Sequence, residues 1–501
     1  MAHWLTLLLL LGGGTLLRFR CAACKPFWFD ECFSVEVARI DWGNFLHLMW
    51  WREANMSLYY VLLRFWLQFG ESPFFIRSLS VILSAAAIPA IYWVAKLLYD
   101  RRVALIAAAL LACNAYSVRY AQEARSYSLF LLLGTLSSGF LIACLRAARQ
   151  DSRSQAMLRQ GYVITSVLAV YAHFYALLLV AVQCIGLTRT SPMNEGEAPL
   201  VRLPRTWKMI GIAILPLLVF VAKTGAGPIR WIQRPSLHEL AEFFQHLSGG
   251  DNWILPVIVA IACIAAVVPL GKKFWSRGGT WEIWRCQFLL LWLLFPILLT
   301  ILLSFARPVF LARYMIFCLP AVLILAAAGF SRLNRWVLPP ALALVLFLGL
   351  RATAFVYAHD FDDERDAAGA TTNFILDHSE SGDGIIFHIA ETRVPYEFFR
   401  SLRAGTNTAS PKFTMPLGPE ILFPRHGAGL DYRDFTGKPT AELVRAAAQN
   451  HPRLWLMLMH NGPPEKPDPT TVMLTEVLAE SLPKVQRWEF PKVEVRLYSK
   501  E

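Results

Sequence analysis

Long apolar runs separated by short polar segments fill the chain up to about residue 355. The runs 74–99, 254–270 and 288–305 approach or exceed the ~18–20 residues that a bilayer-spanning helix needs. Acidic and basic side chains are rare within these runs, as expected for helices that face lipid or one another. The pattern therefore predicts a polytopic α-helical membrane protein.

Most of the basic residues of this region lie in short loops between the runs, and short basic loops mark the cytoplasmic side of a membrane. Five such loops hold 16 Lys and Arg residues: 100–102, 146–159, 189–208, 272–285 and 332–335. Placing all five inside predicts about eleven crossings, with the amino terminus inside and the C-terminal tail outside. The predicted helices are 4–19, 73–98, 103–119, 126–145, 161–171, 174–188, 208–222, 252–270, 286–304, 314–330 and 336–354.

The segment 57–69 is apolar but only 13 residues long, which is short for a crossing. Counting it as a crossing would invert every later basic loop, so we expect a helix that lies on or dips into the outer interface. It belongs to a long first outer loop, residues 20–72. The other predicted outer segments are 118–125, 171–174, 223–251, 305–313 and the tail.

The tail has Pro, Gly and Asp at the frequencies of soluble proteins. Its pattern predicts helices at 363–378 and 440–450, and strands at 384–389, 454–459 and 493–498. We therefore expect two domains. Residues 1–355 would form the membrane domain, and residues 356–501 a small extracytoplasmic α/β domain.

Composition excludes several classes of protein. Hydrophobic residues make up 56 % of the 501 residues and charged residues 17 %, whereas soluble proteins have about 45–50 % and ~25 %. An ordinary soluble enzyme, a disordered scaffold and a small secreted disulfide domain are therefore excluded.

The net charge of +12 divides into −5 over residues 355–501 and +17 over the rest. Because the basic residues punctuate apolar runs, we interpret the charge as membrane topology and predict no nucleic-acid partner.

Three of the nine cysteines, Cys21, Cys24 and Cys32, lie close together after the first apolar run. The CxxC spacing of Cys21 and Cys24 lacks the second pair that a zinc site needs, so thiols or a local disulfide are favoured over a metal. Five others lie within apolar runs, where a free thiol behaves as a small hydrophobic group.

Two adjacent carboxylates, Asp30 and Glu31, stand among aromatic residues at the start of the first outer loop. Aromatic, partly desolvated surroundings raise the pKa of a carboxyl group toward neutrality, where it can serve as a general base. The alternative is that Asp30 caps a helix that begins at Glu31.

Two later outer loops also contain charged residues. Glu123 and Arg125 lie between two apolar helices, where ionisable residues usually face a cavity or a partner. A salt bridge between them, flanked by tyrosines of the membrane interface, is the alternative. Arg307 and Arg313 lie on the side where basic residues are disfavoured, and guanidinium groups suit bidentate phosphate binding.

Arg77 and Lys223 lie at outer ends of predicted helices and could join these arginines, although side chains that merely anchor the interface would look the same. His173 separates two short helices, and its alternative role is that of a hydrogen-bonded turn residue.

Asp41, His47 and Glu53 have no metal-like spacing, so the sequence predicts no metal site and no cofactor. No P-loop, GxGxxG, GxSxG or HExxH motif occurs.

Taken in order, six segments resemble the GT-C membrane glycosyltransferases, which include protein O-mannosyltransferases and the aminoarabinose transferases of lipid A. The segments are Phe29-Asp30-Glu31, Ser57-Leu58-Tyr59-Tyr60, Arg77-Ser78-Leu79-Ser80, Tyr120 to Tyr127, Tyr171 to Tyr175, and Arg307 to Tyr314. The resemblance covers roughly residues 1–355. One departure is Asn55-Met56-Ser57, where the group usually has His-Pro or Pro-Pro.

The resemblance implies a sugar donor on a polyprenyl phosphate, a glycolipid, polysaccharide or protein acceptor on the outer side, and inversion at the anomeric carbon. It implies that Asp30 is the general base and that Glu31 and Glu123 orient the acceptor or shape the site. The implied donor-phosphate ligands are Arg125, Arg307 and Arg313, and the other candidate substrate-binding residues are Arg77, Tyr59, Tyr60, Tyr127, His173 and Lys223.

We therefore expect an inverting glycosyltransferase in the plasma (inner) membrane, in contact with membrane lipids. A lipid-linked sugar transporter or a non-catalytic lipid-binding scaffold is the alternative. A transporter should carry charges near the middle of its helices, and the apolar runs here are almost free of them.

Overall fold

The computed structural model describes residues 2–147, 152–188, 203–225, 232–275, 281–359, 363–406, 418–427, 429–459 and 468–500. The predicted basic loops 146–159, 189–208 and 272–285 lie partly outside the described residues. The chain divides into two compact units. The first comprises Met1–Ala22, Trp50–Leu62 and Phe74–His359, and the second Ala23–Met49, Leu63–Pro73 and Asp360–Glu501. Much of the predicted first outer loop therefore belongs to the same unit as the tail.

The helices between the amino terminus and His359 follow the apolar runs. In chain order they are α1 (Ala2–Arg20), α2 (Phe29–Arg39), α3 (Trp42–Trp51), α4 (Ser57–Trp66), α5 (Pro73–Leu98), α6 (Arg101–Ala112), α7 (Ala115–Ala121), α8 (Tyr127–Arg146), α9 (Ser152–Ala172), α10 (Ala176–Thr188), α11 (Leu203–Ala213), α12 (Leu215–Thr224), α13 (Leu237–Ser248), α14 (Ile254–Val267), α15 (Trp281–Ala306), α16 (Leu319–Phe330) and α17 (Leu338–His359). Short 3₁₀ segments, Val268–Trp275 and Ala312–Cys318, extend α14 and precede α16.

Six helices in the described part of the chain are long and apolar enough to cross a membrane. They are α5, α8, α15 and α17, together with Ile254–Gly271 and Ala312–Phe330. The pairs α6 with α7 and α11 with α12 also pass this test, although they bend by 56° and 53°, which makes up to eight spans. The chain is thus an integral membrane protein. All eleven predicted segments are helical, and the number of crossings stays a prediction.

The interior of the first unit is built from small side chains that let helices approach closely. Every residue of α16 is buried, and its sequence is rich in Ala and Leu. A Cβ atom added at Gly329 would collide with the Ala262 carbonyl group of α14. Because helices in a membrane associate through close packing more than through water exclusion, such contacts stabilise the bundle.

The second unit contains a five-stranded sheet with helices on both faces. Its elements within the tail are α18 (Asp363–His378), β1 (Gly384–Phe387), α19 (Arg393–Thr406), β2 (Glu420–Phe423), α20 (Ala441–Asn450), β3 (Arg453–Met459), α21 (Pro469–Ser481), β4 (Lys484–Phe490) and β5 (Val493–Ser499). The strand order is β2-β1-β3-β5-β4. β1 pairs in parallel with β2 and β3, and β5 pairs antiparallel with β3 and β4.

Alternation along β3 explains how the sheet is covered on both faces. Leu454, Leu456 and Leu458 pack in a core with residues of α20 and α21. Trp455 and Met457 point the other way and pack in a second core with residues of α18 and α19. A strand buried on both faces is apolar throughout, which matches the sequence of this strand.

The predicted α/β class of the tail is confirmed. Both predicted helices and all three predicted strands are present, with small differences at their ends. The structure adds β2, β4, α19 and α21, which the pattern did not predict. β2 has only four residues, and the side chains of β4 are mostly exposed, so neither has the apolar face that reveals a strand.

The cysteines resolve one alternative that the sequence left open. Cys21 and Cys24 are disulfide-bonded, whereas the seven other cysteines, Cys32 among them, are reduced thiols outside any disulfide.

Candidate active site

A break between α6 and α7 shapes the loop that carries Glu123 and Arg125. The two helices bend by 56° across Cys113 and Asn114. The Asn114 side chain accepts a hydrogen bond of 2.9 Å from the Ser117 backbone N–H and so caps α7. The short helix α7 then leads directly into the loop.

The buried Arg18 side chain of α1 satisfies the polar groups that this break exposes. At the end of α6, Arg18 Nη2 donates to the Leu111 carbonyl oxygen over 3.1 Å, and Nη1 donates to that of Ala112 over 3.0 Å. The remaining hydrogen bonds of its guanidinium group, at 2.8–3.0 Å, go to the Gly14 carbonyl and to the hydroxyl groups of Ser84 and Ser117. All five N–H donors of the guanidinium are therefore used. Arg18 pairs helix-end carbonyls that would otherwise be buried and unsatisfied.

Further hydrogen bonds hold the backbone of the loop. Gln122 Nε2 donates to the Arg18 carbonyl over 3.0 Å. The Ser80 hydroxyl donates to the Arg125 carbonyl over 3.3 Å, and it lies 2.8 Å from the Tyr59 hydroxyl. Tyr59, a predicted substrate-binding residue, is thus buried beneath the loop and linked through Ser80 to the backbone of Arg125.

Six aromatic residues, which we call the tyrosine–histidine cluster, adjoin this loop: Tyr116, Tyr120, Tyr127, His173, Tyr175 and Tyr314. The ring centroids of Tyr120 and Tyr127 are 5.0 Å apart, and those of Tyr127 and His173 are 6.5 Å apart. The His173 ring lies 4.5 Å from that of Tyr314. Three segments predicted separately from the sequence therefore meet in one place: 120–127, 171–175 and 307–314.

Three of the predicted charged residues, Glu123, Arg125 and Arg313, lie close enough to this cluster to act on it. Arg125 and Arg313 both act electrostatically on His173. Glu123 and Arg313 both act on the Tyr120 hydroxyl. Glu123 is 2 % exposed and Arg125 8 %, so these charges lie in surroundings where they interact strongly. The first unit thus brings together five of the predicted site residues: Glu123, Arg125, Tyr127, His173 and Arg313.

His173 is a neutral hydrogen-bond donor with one ring nitrogen to spare. Its Nδ1 accepts a hydrogen bond of 3.2 Å from the Tyr175 backbone N–H, so the neutral ring carries its proton on Nε2. Burial, and then the positive charges of Arg125 and Arg313, lower the pKa of His173 to about 3. Nε2 is buried and has no hydrogen-bond partner among the described residues. The residue is therefore both a turn residue, as the alternative expected, and a potential ligand-binding donor.

The segment 307–313 is fixed from both sides. The Ser304 hydroxyl accepts hydrogen bonds from the backbone N–H groups of Val309 and Phe310, over 3.1 and 3.0 Å. Tyr116 donates to the Ala312 carbonyl over 2.6 Å, and Tyr175 donates to that of Val309. These bonds hold Arg313, which is partly buried, beside the cluster. Arg307 lies at the exposed end of the segment.

Three other predicted residues also belong to the first unit. Arg77, at the start of α5, is buried and donates to the Ala22 carbonyl over 2.9 Å. Tyr60 is buried in α4. The Lys223 ammonium group at the end of α12 lies 2.9 Å from the ring centroid of Trp51.

Asp30 and Glu31 belong to the second unit, where they occupy the first turn of α2. This helix begins at Phe29, and its N-cap residue, Trp28, makes no side-chain capping bond. The alternative that Asp30 caps a helix beginning at Glu31 is therefore wrong, because Asp30 already lies inside the helix. Glu31 is buried and Asp30 is partly buried. Carboxylates in a first turn are stabilised by the helix dipole.

No protein-family model matches the sequence, and no curated protein matches it. Solved structures do match the fold. The crystal structure of ArnT from Cupriavidus metallidurans in the apo state has a TM-score of 0.63 at 10 % identity, over 100 % of this chain and 99 % of that chain. The chain has the GT-C fold.

Two further structures extend the match to the GT-C fold. ArnT from Cupriavidus metallidurans bound to undecaprenyl phosphate gives a TM-score of 0.56 at 12 % identity, over 98 % of this chain and 97 % of that chain. The oligosaccharyltransferase AglB from Archaeoglobus fulgidus, in complex with an inhibitory peptide and a dolichol-phosphate, gives 0.50 at 10 % identity, over 91 % and 69 %. The predicted GT-C-like polytopic fold is thereby confirmed.

Within this GT-C fold, sequence reasoning missed the residues that position the loops. Arg18 reaches partners about a hundred residues away in the chain, and Tyr116 reaches Ala312 over an even longer separation. No local pattern reports such pairs. The one available signal was a basic residue within an apolar run, since such a charge must find polar partners.

Proposed function

We propose that the chain is an inverting glycosyltransferase of the GT-C type. It transfers a sugar from a polyprenyl-phosphate donor to an acceptor on the extracytoplasmic side of the plasma (inner) membrane, where the C-terminal domain also lies. One observation carries the proposal. In a chain with this fold, Glu123, Arg125, His173 and Arg313 gather around buried tyrosines although the sequence separates them widely.

A lipid phosphate is the donor class that fits these side chains. The similar structures include ArnT with undecaprenyl phosphate and AglB with a dolichol-phosphate. Arg125 and Arg313 each present a planar guanidinium, which binds phosphate oxygens in pairs. Arg307, Lys223 and Arg77 add positive charge for the same anion. A chain with many lipid-facing helices also gives a polyprenyl tail an apolar environment.

His173 contributes a donor that stays neutral. Because the pKa of the ring is about 3, it carries a single proton on Nε2 at any pH near neutrality. That N–H can donate to an oxygen of the donor phosphate or sugar. Tyr59, Tyr60 and Tyr127 complete the substrate-binding set.

Asp30 acts as the general base of the transfer. The acceptor hydroxyl or amine gives its proton to the Asp30 carboxylate while its lone pair attacks the anomeric carbon. The bond between that carbon and the phosphate oxygen breaks, and its electron pair leaves with the polyprenyl phosphate. Attack opposite the leaving group inverts the anomeric configuration. Glu31 and Glu123 orient the acceptor.

The arginines stabilise the charge that develops on the leaving phosphate. Groups that are already held in place need no reorganisation when that charge forms, and one such donor typically contributes about 10²–10³ in rate. The hydrogen bonds around the loop 122–125 and the segment 307–313 supply this preorganisation.

Transport of a lipid-linked sugar is the weaker reading of the same residues. Arg18 of the apolar helix α1 is fully buried, and all its donors bond to protein oxygen atoms. Such a charge stabilises a helix break and offers no binding site along a transport path.

Mass spectrometry of envelope glycolipids, polysaccharides and glycoproteins tests the proposal in cells with and without the gene. We expect one acceptor class to lose a single sugar increment in cells that lack the gene. Identical envelopes, under conditions in which the protein is produced, would contradict a glycosyltransferase.

A further inference from the structure

We infer that the C-terminal domain positions the helix that carries Asp30 and Glu31, with Phe398 and Ser401 of α19 as positioning residues. This inference rests on the proposed function, because it assigns the tail a part in the same reaction. The tail would then be needed for turnover itself, and not only for binding a particular acceptor.

Aromatic contacts flank Asp30 on both sides in the chain. Phe27 stacks on Phe398 with ring centroids 4.8 Å apart and an angle of 20°. Phe33 packs edge-on against Phe435, with centroids 5.4 Å apart and an angle of 82°. Phe27, Phe398 and Phe435 are each at most 3 % exposed. Aromatic pairs in these geometries are attractive beyond the area that they bury.

A polar contact fixes the far end of the same helix. Arg39 Nη1 donates to Glu36 over 2.6 Å and to the Ser401 hydroxyl over 2.9 Å. Its Nη2 donates to Glu71 over 2.9 Å, and its guanidinium carbon lies 5.8 Å from the Phe398 ring centroid. Arg39 thus ties α2 to α19 at one point and to the segment before α5 at another.

The following helix of the loop is held by a different part of the tail. Asn44 of α3 accepts a hydrogen bond of 3.2 Å from the Tyr432 backbone N–H. The His47 ring stacks on the Tyr432 ring, with centroids 5.1 Å apart. The tail therefore contacts the loop at three successive places: around Asp30, at Arg39 and along α3.

These contacts matter because α2 is too short to hold its own geometry. It has 11 residues, and isolated helices shorter than ~12–15 residues are marginal in water. Packing on α19 therefore decides whether its first turn, with both carboxylates, is ordered. A base displaced by about 1 Å can cost about a hundredfold in rate.

The test uses the full-length chain in lipid nanodiscs and measures sugar transfer over a range of donor concentrations up to saturation, together with hydrogen exchange of peptides from α2. We expect Phe398→Ala to lower kcat by about 10- to 100-fold, to leave the KM for the donor within about twofold, and to speed exchange across α2. Phe398→Leu should recover part of both losses. Ser401→Ala should give a smaller change in the same direction.

Phe399→Ala is the matched control. Phe399 neighbours Phe398 on the same helix but faces Gly369 of α18, so its loss tests general damage to the domain. The inference fails if Phe398→Ala keeps full kcat, or if Phe399→Ala lowers kcat and speeds exchange of α2 equally. Asp30→Asn in the same assay separates the two ideas. An active Asp30→Asn variant would contradict the proposed general base. An inactive Asp30→Asn variant together with a fully active Phe398→Ala variant would contradict only the positioning role of Phe398.

Discussion

The two groups of candidate catalytic residues are held in place by different physical means. Around Glu123 and Arg125, buried hydrogen bonds from Arg18, Ser80 and Tyr59 fix a loop between long membrane helices. Around Asp30, a short helix is held mainly by aromatic packing against the tail. The first arrangement depends on satisfying polar groups away from water, and the second on excluding water from apolar rings.

Because of this difference, the two regions should be sensitive to different kinds of substitution. A buried polar network fails when one member is removed, because its partners are left unsatisfied. A packed aromatic contact weakens in proportion to the volume that is lost and tolerates similar shapes. The loop 122–125 should therefore be sensitive to single polar deletions, and α2 to changes in side-chain size.

Asp30→Asn should have the largest effect on activity. General bases contribute about 10²–10⁴ in rate, and the amide cannot accept the proton. We expect transfer to fall by at least the lower figure while expression, membrane insertion and donor affinity stay normal. Donor binding and turnover measured on the same purified sample check this, and full turnover in the variant would remove the proposed base.

Arg18→Ala should destabilise the buried hydrogen-bond network around the loop 122–125 and lower the stability of the protein. The change leaves the carbonyls of Leu111 and Ala112 without their partner, and a buried unsatisfied group costs about 1–3 kcal/mol. We expect a lower thermal unfolding temperature in detergent and faster exchange across residues 114–125. Arg20→Ala is the control, since Arg20 is exposed and should change stability by less than ~0.5 kcal/mol. Equal stability of both variants would contradict the role of Arg18.

Arg313→Ala should weaken donor binding more than Arg307→Ala. Arg313 lies beside His173, whereas Arg307 is exposed at the other end of the segment. A hydrogen bond to a charged group is worth about 1.5–3 kcal/mol, which corresponds to about 10- to 150-fold in the dissociation constant of undecaprenyl phosphate. Titration of this lipid into nanodiscs checks the order, and unchanged affinity in both variants would count against a phosphate-binding role.

The smallest expected effect is a dependence of the packing of α2 on pH. Burial raises the pKa of Glu36 from 4.5 to about 7, although Arg39 opposes the shift, and the charges of Glu397 and Glu71 raise it further. When α2 is packed, the Glu36 carboxyl group keeps its proton up to about pH 7. When α2 comes away from its partners, the same group loses its proton near the ordinary value of 4.5. Packing should weaken as pH rises through 7.

Hydrogen exchange of α2 at pH 6 and pH 8, corrected for the intrinsic rate, measures this effect. We expect more exchange at pH 8 in the wild type and no such difference in Glu36→Gln, which can still accept from Arg39. A pH difference that persists in the variant would assign the effect to another group.

The sequence predicted those features that a local pattern reports. Apolar runs indicate spanning helices, and alternation or helical periodicity in the tail indicated α18 and β3. Charges between apolar helices indicated Glu123 and Arg125, and a basic residue on the outer side indicated Arg313; the structure brings these three residues together. What could not be predicted joins residues far apart in the chain. Arg39 and Ser401 are separated by 362 positions, and nothing near either residue reports the other.

The central claim is tested most directly by the purified wild-type chain in nanodiscs. The measurement offers undecaprenyl-phosphate hexoses and pentoses labelled with ¹³C at the anomeric carbon, with envelope glycolipids, polysaccharides and proteins as acceptors, and follows that carbon by NMR. The account predicts that one sugar moves to an acceptor with inverted anomeric configuration, while undecaprenyl phosphate is released in equal amount. Retained configuration, or movement of the intact lipid-linked sugar across the membrane without bond cleavage, would contradict it.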